Sequence, residues 1–210
     1  VLDWISAHSA LLNVAINGGM LAVWVVYLQI FVTTYRQARS PRVLINRAMG
    51  SDIDAQCIVS NMSQEPVYPQ SVYCTVHYRG GSFSATITDR EIFQDTGRDQ
   101  PKGVTAQGPL KQGAFLSLGS FRNLMDVTSR HSDEDSALAR HDDAVEGMEI
   151  MVVCAFGGDN LEIAANRAFR IDTGTDPWSI IPRFPQTDQI AGRAERKRIR
   201  QRVIAELQER

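Results

Sequence analysis

The chain has 210 residues, 43% of them apolar and 22% charged, which is enough for one domain with appendages. Its formal charge of −2 hides a segregation: residues 1–51 carry four arginines against one aspartate, residues 52–176 ten basic against nineteen acidic side chains, and residues 177–210 eight against four. An acidic body argues against a nucleic-acid-binding face on the main domain, and the three widely spaced cysteines fit neither a disulfide framework nor paired CxxC zinc ligation.

From Trp4 to Tyr35 there is no Asp, Glu, Lys or Arg. A helix needs roughly 20 apolar residues to cross about 30 Å of hydrocarbon, so this run predicts one transmembrane helix, with Trp4 and Tyr35 at the two interfaces. A cleaved secretory signal fits less well, because a basic n-region is missing and "TTYRQARSPR" replaces a small-residue cleavage site. Arg36, Arg39, Arg42 and Arg47 follow the run as a membrane-surface collar with no acid before Asp52. By the positive-inside bias the N-terminal flank is expected outside and the remaining chain in the cytoplasm, at a bacterial inner membrane. Within the helix Asn13, Asn17 and Gln29 seek hydrogen-bond partners, and Gly18-Gly19 lets another backbone approach. These five are the expected interface with a second transmembrane helix.

Beyond the arginines, "SPRVLINRAM" and "AQCIVSN" read as strands. "SVYCTVHYRGGSFSATITD" predicts a β-hairpin, with Val72, Cys74, Val76 and Tyr78 on one face and a turn made from Gly80-Gly81 through positive φ. Residues 89–113 read as a long polar connection and "GAFLSLGSF" as a further strand. Ser120 is placed to cap a short helix with Phe121, Leu124, Met125 and Thr128 on one side. A second hairpin is expected in "MEIMVVCAFGGDNLEIAANRAFRI", turning at Gly157-Gly158-Asp159-Asn160. Cys57, Cys74 and Cys154 each lie inside a strand-like apolar run, as buried thiols do. The sum is a mainly β domain, an antiparallel β-sandwich in the manner of an immunoglobulin domain.

The segments "WVVYLQIF" and "DAQCIVSNMSQEPVY", on either side of "RSPRVLINR", resemble a group of bacterial single-pass membrane proteins with a small cytoplasmic β-domain. The resemblance covers about the first third of the chain and implies topology only.

"RHSDEDSALARHDD" offers His131, Asp133, His141 and Asp142 as candidate metal ligands, since imidazole and carboxylate suit zinc or manganese. Its spacing matches neither HxxxH nor HExxH, and Ser132 with Asp135 also resembles a capping box, so a solvated loop or short capped helix stands beside the metal reading. "TGTDPWSIIPRFPQ" contains three prolines and reads as an extended linker. After it, Asp188 is placed to cap a basic helix in which Arg196, Lys197 and Arg200 flank a stripe of Ile199, Val203 and Leu207, suited to a partner protein or an anionic lipid surface.

The expected organisation is therefore an anchor over 1–36, a β-sandwich over 37–173, a linker over 174–187 and a basic helix over 188–210. No catalytic motif is specific enough to name a reaction and no cofactor is implied. The functional expectation is a non-catalytic accessory or assembly subunit of a larger membrane complex (respiratory, photosynthetic or transport), with other transmembrane proteins as partners. The alternative is a membrane-tethered metal- or ligand-binding sensor using the His131/His141 segment.

Overall fold

The structure, a computed structural model, describes residues 8–38, 40–87, 108–131, 145–157, 162–190, 192 and 194–201. The chain divides into two compact units, Val1–Ser40 and Pro41–Arg210.

In the first unit the charge-free run forms helix α1, Ser9–Ala38, about 45 Å long at 1.5 Å per residue. Its Ser9–Tyr35 stretch is long and apolar enough to cross a membrane. Leu11, Val14, Ile16, Leu21, Trp24 and Val26 are all exposed and point to every side of the helix, so the apolar surface runs round the whole of it. A helix that is apolar on every side needs hydrocarbon or other protein around it rather than water. The Thr33 hydroxyl donates back to the carbonyls of Gln29 and Ile30, each at 2.9 Å, which satisfies it without solvent.

The second unit contains β1 (Val43–Ala48), β2 (Gln56–Asn61), β3 (Val67–Tyr78), β4 (Gly81–Ile87), β5 (Phe115–Ser120), α2 (Phe121–His131), β6 (Val145–Phe156), β7 (Ile163–Asp172), β8 (Ser179–Pro182) and β9 (Asp188–Ile190). The strands form two antiparallel sheets, one in the order β1-β2-β5 and the other β4-β3-β6-β7-β8, with β9 also paired to β7. Period-two alternation sends one face of each sheet into a shared core. Val43, Ile45 and Val59 enter it from the first sheet, and Cys74, Ile150 and Val152 from the second. Helix α2 closes the core with Phe121 and Leu124. Its N-terminus is capped as expected: the Ser120 hydroxyl accepts from the Asn123 amide at 3.2 Å.

The β3–β4 hairpin forms at the expected place, with Tyr78 opposite Gly81, but not for the expected reason. Neither Gly80 nor Gly81 takes a left-handed φ. A Cβ at Gly80 would lie 3.2 Å from the Tyr78 ring and one at Gly81 3.1 Å from its hydroxyl oxygen, so the glycines supply space beneath the tyrosine. In the second hairpin Gly157 does take a positive φ of 52°; positions 158–161 lie outside the described residues.

Two short strands stand where a linker and the start of a helix were expected. β8 pairs with Phe169–Asp172 of β7, and β9, which contains Asp188, pairs with Ala164–Asn166. This segment also ties the sheets together. The Gln189 side-chain amide donates to the Val43 carbonyl at 2.6 Å and accepts from the Val43 amide at 3.1 Å, standing in for a strand along the edge of β1. Helical geometry begins only at 194 and is described to 201, which defines α3.

Candidate functional site

On α1 the residues expected at an interface are all exposed, but the wheel sorts them. Asn13 and Asn17 share one face. Gly18 and Gly19 lie about 100° and 200° further round, and Gln29, eleven residues after Gly18, returns to within about 20° of it. The helix therefore carries two polar lines, Asn13–Asn17 and Gly18–Gln29. A Cβ at Gly18 or Gly19 would meet nothing within 4 Å, so no packing among the described residues requires glycine there.

The arginine collar does not act as one group. The Arg36 side chain and all of Arg39 lie outside the described residues, and Arg42 is exposed at the entry to β1. Arg47 instead folds onto its own unit, donating from Nη1 to the carbonyls of Ile180 and Ser51. Those acceptors occupy it as a tie between β1 and β8, which sequence charge alone could not reveal.

The basic tail is also partly engaged. Arg196 donates from Nε to the Glu162 carbonyl at 2.9 Å. Ile199 is buried against Tyr73, Val153 and Ala164 on the outer face of the second sheet, with Met151 and Ile190 alongside. The first position of the expected apolar stripe is thus spent within the chain. Lys197 and Arg200 remain exposed, and Val203 and Leu207 lie outside the described residues.

His131 ends α2, but its side chain, like Asp133, His141 and Asp142, lies outside the described residues. Among the described residues no group of three or more His, Cys, Asp or Glu side chains could hold a metal ion. All three cysteines are free and buried. Burial pushes the Cys74 and Cys154 thiols up to about 12 and raises Cys57 further. Thiols held neutral in this way are poor nucleophiles and poor metal ligands.

Sequence reasoning missed a cleft of about 520 Å³ on the outer face of the second sheet. Its floor is made small by Gly147 and Ala168, and its walls include His77, Glu149, Arg170 and Arg183. Glycine is obligatory at 147, because a Cβ there would lie 2.5 Å from the Phe169 carbonyl oxygen. His77 Nε2 lies 3.5 Å from Glu149 Oε2, and the Asn166 amide donates to the other oxygen of Glu149. Alternation with Val76 and Tyr78 puts His77 on the polar face of its hairpin, but its neighbours come from β6 and β7, whose register the sequence does not state. The arrangement can hold a polar group by hydrogen bonds. Thr173 brings a hydroxyl to its lining, which holds no serine or cysteine among the described residues.

A buried arginine was also missed. Arg167 points into the domain and donates from Nη1 to the Ile45 carbonyl at 2.6 Å and from Nη2 to the Pro185 carbonyl at 3.2 Å. Its guanidinium lies 5.7 Å from the Phe169 ring centre. Burial lowers its pKa. From β7 it reaches the Ile45 carbonyl in the first sheet and the Pro185 carbonyl in the β8–β9 connection, so it serves as a structural cross-tie.

No known protein family, curated protein or solved structure matches the chain.

Proposed function

We propose that the protein is a non-catalytic, single-pass accessory subunit of a larger membrane complex. In this reading α1 lies in a bacterial inner membrane, the N-terminal flank is outside and the β domain is cytoplasmic. The observation that carries it is α1 itself: a helix of spanning length, apolar on every side, with Asn13 and Asn17 on one face. A lone lipid anchor gains nothing from amides in hydrocarbon, whereas a neighbouring helix can satisfy them, at about 0.6–2 kcal/mol per contact. The partners are other transmembrane proteins, with respiratory, photosynthetic and transport complexes as candidate hosts.

The resemblance to bacterial single-pass proteins and the immunoglobulin-like form of the sandwich belong to the same proposal. The sandwich form is supported by two antiparallel sheets facing one core. A role without catalysis is supported by the three thiols, which burial holds neutral.

Purification from membranes in a mild detergent tests this. The full-length protein is expected to co-elute with at least one other membrane protein. Replacing both Asn13 and Asn17 with Leu is expected to release that partner while the protein stays in the membrane fraction. Recovery of monomer alone would contradict the proposal.

A further inference from the structure

One end of the β unit gathers the start of β1, the end of β2 and the start of β5. There the Met62 amide donates to the Arg42 carbonyl at 2.8 Å, the Gly113 amide to Asn61 at 2.8 Å, and the Asn61 amide to Ala114 at 3.0 Å. Leu44, Ser60 and Phe115 form one rung across the outer face of the first sheet. Leu44 is 37% exposed, Met62 54% and Phe115 68%. Ile58 continues this face two residues along β2 and is half-buried. Arg42 and Lys111 are exposed in the same turns, and the acid of the 62–66 turn, Glu65, is half-buried and has a partner of its own. Apolar tips clustered with two exposed cations that form no ion pair among the described residues have the chemistry of a surface that enters the headgroup–acyl boundary of an anionic bilayer.

The tether favours lipid over other occupants. Only four residues, 39–42, and so five Cα–Cα steps, separate Ala38, the last residue of α1, from Val43, the first of β1. Such a segment cannot reach beyond about 18 Å. If α1 crosses a bilayer, as proposed above, the headgroups are always within reach of this end, whereas a soluble partner must find it by diffusion.

We infer that the Leu44–Met62–Phe115 end of the β unit, with Arg42 and Lys111, is a second membrane contact. It seats the domain on the headgroups and limits its swing about the tether. The inference rests on α1 lying in the bilayer but concerns a different surface.

The test uses the full chain in phosphatidylcholine–phosphatidylglycerol vesicles, with an environment-sensitive fluorophore on one introduced cysteine at a time. The native thiols are buried and do not compete. Phe115→Cys and Met62→Cys report the proposed contact. Met49→Cys, 90% exposed just beyond the other end of β1, reports water, and Val23→Cys reports α1. Labels at 115 and 62 are expected to shift to the blue, to be quenched by spin-labelled acyl chains and to be spared by iodide present on both sides of the vesicle. The label at 49 is expected to be quenched by iodide. In vesicles of phosphatidylcholine alone, acyl-chain quenching at 115 and 62 is expected to weaken.

If 115 and 62 behave like 49 while 23 remains quenched by the acyl chains, the contact is refuted and the anchor stands. Protection of 115 and 62 from both quenchers would assign the surface to protein, either a second copy or another segment of the chain, and would also refute it. Iodide quenching at 23 would remove the anchor and the contact together.

Discussion

Phe121→Ala is expected to destabilise the β unit by about 3–5 kcal/mol, a large part of the roughly 5–15 kcal/mol that holds a domain of this size together. Phe121 is fully buried at the start of α2. Its ring meets Phe169 edge-to-face, with centroids 4.8 Å apart at 62°, and its amide donates to the Ala55 carbonyl at 3.1 Å. Truncation leaves a cavity between α2 and the second sheet, and removes an aromatic pair contributing about 0.5–1.5 kcal/mol beyond its area. Phe121→Leu keeps most of the volume and is expected to cost far less. Urea unfolding of the detergent-solubilised full-length protein, followed by circular dichroism in the β region, measures both. A loss below about 1 kcal/mol for Phe121→Ala would mean that α2 does not close the core as described.

Val23→Arg is expected to move the protein out of the membrane. Position 23 lies near the middle of the Ser9–Tyr35 stretch, and a central arginine costs about 2.5–3.5 kcal/mol on the insertion scale. The margin of α1 is already reduced by Asn13, Asn17 and Gln29, which hydrocarbon disfavours. A shift of about 100-fold in the insertion equilibrium follows from that cost, and Val23→Leu serves as the neutral control. Alkaline extraction of membranes reads the result: wild type and the leucine variant stay in the pellet, and the arginine variant appears in the supernatant. Retention of the arginine variant equal to wild type would show that α1 is held by something other than its apolar surface.

How much was legible in the sequence follows from the range of each interaction. α1 was legible because a charge-free run is a one-dimensional property. So were β3, β4, β6 and β7, where the apolar residues alternate over seven to twelve positions. β8 and β9 were not, because strands of four and three residues among prolines are too short to show a period. They exist because β7 offers an edge to pair with. The His77–Glu149–Asn166 cluster required the register of β3 on β6 and of β6 on β7, which no local pattern states. Arg47 and Arg196 were read as surface charges because a sequence shows the cation and not the carbonyl it bonds. Arg167 could have been found: it shares strand parity with Ala165, Phe169 and Ile171, which places it inward.

Protease added to intact spheroplasts carrying the full-length protein with a C-terminal tag tests the membrane topology most directly. If α1 crosses the inner membrane with the β domain on the cytoplasmic side, the tagged chain survives until the membrane is permeabilised and is then digested. Digestion in sealed spheroplasts would put the domain on the opposite side and contradict the proposed topology.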